Sequence, residues 1–240
     1  MKKSTHKLVG ITKVRNEQAI IQDTLDHYSS FCDALYVYDD ASTDDTAWIC
    51  REHPKVRSVL LGTYWDADRL RAEYQNRQRI LEEAQKDDPE WIIYFDADER
   101  IEWDFQGYEA YDGVVMKLYD YYITHEDLGQ LYSNREWIGP EYRNILMMFK
   151  NTPEVCYTGL DQREATLADN AQCLSAGYVK HYGKAISIKE WEKTCDYYGK
   201  YFPPYSQKWL ARKGKAIHTL SDFNRPLIKW EERSEKGVPL

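Results

Sequence analysis

Asp96 and Asp98 stand one residue apart, directly after the apolar run 91–95, and Glu99 adjoins them. Ionised and unpaired, carboxylates this close repel one another. A divalent cation resolves the repulsion, and hard oxygen ligands suit Mg²⁺ or Mn²⁺. Such a cation is also able to bridge the two phosphates of a nucleoside diphosphate and stabilise it as a leaving group. The bland alternative is a solvated acidic turn, and an Asp-x-Asp pattern alone does not decide between them. A second acidic pair, Asp39-Asp40, follows the run 34–38. A carboxylate there suits a ribose hydroxyl or a base N–H. The alternative leaves the pair merely exposed beside a helix capped by Ser42, Thr43 or Asp44.

Position gives these patterns weight. Residues 8–14 read as a short buried strand, and 34–38, 56–61 and 91–95 as three further strands. Residues 17–30 carry apolar Ala19, Ile20, Leu25 and Tyr28 at roughly helical spacing. Residues 46–52 form a short helix stopped near Pro54, and 69–86 a long one rich in Arg, Glu and Gln. The first hundred residues therefore read strand-helix four times over, which predicts a parallel, doubly wound sheet. Ligands bind beyond the carboxyl ends of such strands. Four polar clusters fall there: Arg15-Asn16-Glu17, Asp39-Asp40, Trp65-Asp66-Ala67-Asp68 and Asp96-Ala97-Asp98-Glu99.

The second half reads differently. Residues 113–119 and 145–149 look like strands separated by a long aromatic stretch, with shorter strands at 155–158 and 178–181 and a helix at 186–198. The tail beyond Pro203 carries Lys208, Arg212, Lys213 and Lys215, which read as a solvated helix face. Without repeats or a low-complexity linker, one continuous domain is favoured over two.

Composition narrows the classes. A formal net charge of −8, from 40 acidic and 32 basic residues, argues against binding nucleic acid mainly through phosphates. Five cysteines without metal-like spacing fit free thiols in a reducing compartment. No signal peptide and no apolar run of membrane-spanning length is visible, so a cytoplasmic protein, peripheral to a membrane at most, is expected. No GxGxxG and no GxxxxGK[ST] occurs, which removes the dinucleotide dehydrogenase and P-loop readings.

In order and spacing, Val14-Arg15-Asn16-Glu17, residues 38–46 (Tyr-Asp-Asp-Ala-Ser-Thr-Asp-Asp-Thr) and Phe95-Asp96-Ala97-Asp98-Glu99 resemble glycosyltransferase family 2 with its GT-A fold. The match is clear over 7–100 and looser to about 183. The resemblance implies an α/β fold: a Rossmann-like, mostly parallel sheet flanked by helices, with a mixed C-terminal half. It implies one domain over 1–240, with a nucleotide-sugar-binding half at 1–112, an acceptor and catalytic half at 113–185 and a helical extension at 186–240. Arg15, Glu17, Asp39, Asp40, Asp66, Arg71, Asn76, Asp96 and Ala97 would face the donor. Asp96 and Asp98 would hold Mn²⁺ or Mg²⁺, joined by His181 in Val-Lys-His-Tyr-Gly. Residues 143–150 are similar to the Arg-Leu-Phe-Arg strand of lipopolysaccharide-core-type members. There a His-Glu pair follows a glycine; here, after Gly159, Arg163-Glu164 stands in its place.

The family generally inverts the anomeric carbon. The resemblance then makes Glu164 the base that deprotonates an acceptor hydroxyl, with Asp161 as understudy. The expected partners are a nucleotide-sugar donor and a saccharide or other hydroxyl-bearing acceptor; a nucleic acid acceptor is not favoured, and a homo-oligomer is compatible with the sequence. Two other readings remain open: a nucleotidyltransferase of sugar phosphates, weakened by the absence of glycine in 14–17, and a non-catalytic sugar-nucleotide-binding module.

Overall fold

The computed structural model describes residues 7–159 and 163–240. Its elements are β1 (Leu8–Val14), α1 (Ile21–Ser29), β2 (Ala34–Asp39), α2 (Thr46–Glu52), β3 (Val56–Leu61), α3 (Arg69–Gln85), β4 (Trp91–Tyr94), β5 (Glu99–Glu102), β6 (Gly113–Tyr121), β7 (Trp137–Lys150), β8 (Cys173–His181) and α4 (Ile188–Tyr201). Beyond them come a short α5 (Ser206–Leu210) and the two-residue β9 (Ile228–Lys229). Their contacts fall into two compact units. Unit 1 comprises residues up to Arg100, 104–116 and 146–176; unit 2 comprises 101–103, 117–145 and 177–240.

Unit 1 is an α/β layer with a mostly parallel sheet flanked by helices. β1 pairs in parallel with β2 on one side and β4 on the other, and β2 pairs in parallel with β3. The resulting order, β3-β2-β1-β4, is the doubly wound order, and it reverses between β1 and β4. The end of β7 closes the outer edge of β4 in antiparallel register, with Ile92 opposite Phe149. Strands buried on both faces read as continuous apolar runs, which is why Leu-Tyr-Val-Tyr and Trp-Ile-Ile-Tyr announce themselves in the sequence. Val9, Ile11, Tyr36, Ile92 and Phe149 pack with Ile80, Leu81 and Ala84 of α3 in one core.

Three strand-helix repeats form, not four. After β4 the chain turns at Asp96–Asp98 straight into β5. The Glu99 carboxylate accepts the Asp96 backbone N–H at 3.1 Å, and the Arg100 guanidinium donates to the Ala97 carbonyl at 3.0 Å. These bonds give the backbone a turn where a helix was expected. The 155–158 strand reduces to a single bridge between Cys156 and Thr166. The 145–149 strand is the end of the fourteen-residue β7.

In unit 2, β6, β7 and β8 run past an aromatic core in which Tyr119, Tyr121, Tyr182 and Trp230 are buried together. Among the described residues no helix is long and apolar enough to cross a membrane. Cys32, Cys50 and Cys195 are buried thiols, and Cys173 is exposed.

Candidate functional site

The carboxyl ends of β1, β2 and β4 carry the chemistry of unit 1. The loops after β1 and β2 are stitched together. The Arg15 guanidinium donates to the carbonyls of Asp40 and Ala41 at 2.5 and 2.6 Å. The Asn16 backbone N–H donates to the Ser42 hydroxyl, and the Asn16 side-chain oxygen accepts from the Thr43 N–H at 2.8 Å. The Glu17 N–H donates to the Thr46 hydroxyl at 2.8 Å. Asn16 and Ala41 both sit at φ 55, a left-handed conformation held by these cross-loop bonds. Arg15 and Glu17 thus shape the rim through backbone contacts.

Asp39 and Asp40 divide the work. Asp39 is 2% exposed; its Oδ1 accepts the Ser42 N–H at 2.9 Å, while its Oδ2 is buried without a hydrogen-bond partner among the described residues. A buried carboxylate oxygen left unmatched is costly and marks a place for an incoming donor group. Asp40 is fully engaged: Arg69 donates to Oδ2 and Asn76 to Oδ1 at 3.1 Å. Asp40, Asn76, Tyr38, Gly62, Asp66 and Arg79 line a cavity of about 490 Å³ beyond the ends of β2 and β3. A Cβ on Gly62 would come within 3.1 Å of the Asp39 carbonyl and 3.2 Å of the Ala41 amide, so this wall tolerates only glycine without moving backbone.

Helix α3 then carries a buried row of charge. Arg69, Glu73 and Arg77 recur every four residues and so share one face. Arg69 pairs with Glu73 at 2.7 Å, Glu73 with Arg77 at 3.1 Å and with Lys13 at 3.0 Å. Arg77 Nε donates to the Tyr94 hydroxyl at 3.0 Å, and that hydroxyl donates to Asp96 Oδ1 at 2.7 Å. The row therefore runs unbroken from Asp40 to Asp96. Burial alone would raise the Glu73 carboxyl; Lys13, Arg77 and Arg69 outweigh it and hold the group down at about 2. Burial likewise opposes ionisation of Asp96, but Arg163, Arg77 and the Tyr94 hydroxyl bring its carboxyl to about 2. Burial pushes the Tyr94 phenol well above its ordinary range, so it remains a donor.

Arg163 completes the arrangement. Its Nε donates to Asp96 Oδ2 at 3.1 Å, and its Nη2 donates to Glu99. Glu164, half-buried beside it, makes no hydrogen bond or ion pair among the described residues. Asp161 lies outside the described residues.

Other expected donor residues are placed as follows. Asp66 accepts from the Asp68 N–H and pairs with Arg71 at 2.8 Å; Arg71 is exposed and also pairs with Asp68. Ala97 is buried, and its carbonyl accepts from the Thr24 hydroxyl. His181 belongs to unit 2, where its Nδ1 lies 2.5 Å from the Asp120 carboxylate. Lys184 at 2.6 Å and Arg143 at 3.1 Å share that carboxylate.

Among the described residues no three His, Cys, Asp or Glu side chains converge as a metal cage. Asp96 and Asp98 are both half-buried hard-oxygen donors at one strand end. Their chemistry would suit a hard cation of the Mg²⁺ or Mn²⁺ type, which takes oxygen ligands.

Sequence reasoning missed Lys13, Arg69, Glu73 and Arg77. Their signal was present in the i, i+4, i+8 spacing of opposite charges on α3, which reads equally as a solvated helix face.

No protein-family model matches the chain. An uncharacterized protein of Mycobacterium bovis and one of Mycobacterium tuberculosis are each 33% identical over 104 residues, 41% of this chain. The match spans 25% of each of these curated relatives. Mannosyl-3-phosphoglycerate synthase from Rubrobacter xylanophilus is similar in structure with a TM-score of 0.35 and 17% identity, over 55% of this chain and 45% of its own. A protein from Desulfovibrio desulfuricans, described as a candidate nucleotide-diphospho-sugar transferase, gives 0.44 and 10%, over 88% of this chain and 96% of its own. Likeness at this level leaves function to the chemistry of the site.

Proposed function

We propose that the chain is a glycosyltransferase of GT-A type, moving a sugar from a nucleoside-diphosphate donor to an acceptor hydroxyl with inversion. The observation that carries the reading is the row of buried charge linking Asp40, on a cavity wall, to Asp96 at the neighbouring strand end. The order reversal between β1 and β4, where open α/β sheets take up nucleotides, supports it. The cavity beyond β2 and β3 suits the nucleoside, with the unmatched Asp39 Oδ2 as an acceptor for a ribose or base donor group.

Asp96 and Asp98 would hold Mn²⁺ or Mg²⁺, which when bound supplies charge neutralisation to the departing nucleoside diphosphate. The residues of the chain do the remainder. Tyr94 and Arg77 fix the orientation of Asp96. Glu164 takes the proton from the acceptor hydroxyl as the oxygen attacks the anomeric carbon from the face opposite the leaving group. A half-buried carboxylate without an ion pair among the described residues suits that task better than the ion-paired acids of the charge row.

The test is product formation on incubation with a panel of nucleotide sugars, with and without EDTA. Glu164→Gln should abolish transfer while donor binding stays nearly intact. Equal loss of donor binding would make Glu164 structural, and full turnover in EDTA would sink the metal proposal.

A further inference from the structure

We propose that Arg163 binds the donor's diphosphate and, until that anion arrives, keeps Asp96 closed to a divalent cation. This rests on the transferase reading above. Asp96 Oδ1 accepts from the Tyr94 hydroxyl at 2.7 Å and Oδ2 from Arg163 Nε at 3.1 Å, so both oxygens are engaged by donors. A cation approaching Asp96 meets a fixed positive charge already in contact with it and has to displace that charge.

The guanidinium itself is incompletely matched. Nε serves Asp96, and Nη2 serves Glu99 and contacts Met147 Sδ at 3.4 Å. Nη1 is buried and has no hydrogen-bond partner among the described residues. A buried charged donor without an acceptor is expensive, and an anion relieves it. The planar fork of a guanidinium matches two phosphate oxygens at once, which an ammonium does not. The ring of Tyr94, 5.3 Å from the guanidinium carbon, braces one side of that plane.

Charge balance couples the two events. A lone cation is opposed by Arg163. A lone diphosphate is opposed by Asp96, Asp98 and Glu99. A cation and a diphosphate arriving together satisfy both sets: the guanidinium turns to phosphate oxygens and releases Asp96 to the cation. Arg163 is thus a binding residue that makes metal uptake conditional on donor.

The experiment uses the full chain and reads binding, not turnover. Free Mn²⁺ is followed by electron paramagnetic resonance, and UDP, GDP and ADP binding with and without Mn²⁺ by calorimetry. Wild type is compared with Arg163→Gln and Arg163→Lys. Arg163→Gln should bind Mn²⁺ alone about tenfold more tightly and the preferred nucleoside diphosphate at least about tenfold more weakly. Arg163→Lys should still oppose Mn²⁺ yet lose most of the diphosphate affinity, and it carries the test if thermal melting shows that Arg163→Gln fails to fold. Unchanged nucleotide affinity in both variants overturns the inference, whatever Mn²⁺ does. A wild-type protein that binds no nucleoside diphosphate under any condition overturns the transferase reading together with this one.

Discussion

Glu73→Gln isolates the centre of the buried charge row. The substitution keeps the size and hydrogen-bonding capacity of the side chain and removes one negative charge. That charge sits among Lys13, Arg69 and Arg77 at 3.0, 2.7 and 3.1 Å, with the side chain only 10% exposed. The drop of its carboxyl from 4.5 to about 2 measures the preference of the folded state for the ionised form. Each unit of pKa is worth about 1.4 kcal/mol, so ionised Glu73 contributes on the order of 3 kcal/mol. Breaking a buried ion pair by removing one partner costs a similar amount. The sign follows from the depressed value: the contribution is complete above pH 4.5 and fades as pH falls toward 2. Urea unfolding of both proteins at pH 7, followed by tryptophan fluorescence, should show Glu73→Gln less stable by about 3 kcal/mol. The gap should shrink steadily between pH 4.5 and 2. A gap under about 1 kcal/mol at pH 7, or one indifferent to pH, would falsify the claim that this row is an organising element.

Other outcomes test the site directly. Asp98→Asn, like EDTA on wild type, should cut turnover about 100-fold or more by removing a cation ligand, which donor-panel kinetics will read; wild-type rates in the variant would discard Asp98 as a ligand. Gly62→Val fills the cavity wall where a Cβ already crowds the Asp39 carbonyl. Calorimetry should find nucleoside diphosphate binding about tenfold weaker, and melting should show a cost of about 1–3 kcal/mol from overpacking. Unaltered nucleotide affinity would place the nucleoside elsewhere. Glu164→Gln should separate transfer from donor binding, as set out above.

The ends of β1, β2 and β4 were legible in the sequence because two-sided burial writes short apolar runs, and polar clusters right after them stand out. Leu8–Val14, Thr46–Glu52 and Val56–Leu61 fall where periodicity places them. The charge row was hidden by its own composition. Arg69, Glu73 and Arg77 look like surface residues, and only the fold shows that their partners are buried acids and a tyrosine hydroxyl. β7 was hidden for another reason. Pro140 lies within it, and Arg143 and Asn144 are exposed, so its first half lacks the apolar signature of residues 145–149. The pairing of Arg163 with Asp96, 67 residues apart in the chain, has no local trace at all.

The antiparallel seat of β7 on β4 also bears on how the protein is made. Trp91, Ile92 and Ile93 lie opposite Lys150, Phe149 and Met148. During synthesis the four parallel strands are complete by residue 94, yet the outer edge of β4 stays bare for a further fifty or so residues. Such an edge is apolar, unpaired and prone to stick to its like. The contacts that cover it are distant in sequence and therefore slow to form. A fragment ending near residue 112 would carry the polar clusters after β1, β2 and β4 and still present that open edge. Asp96, at the tip of the uncovered strand, meets Tyr94 and Glu99 early and gains its Arg163 partner only after the chain has doubled back on itself.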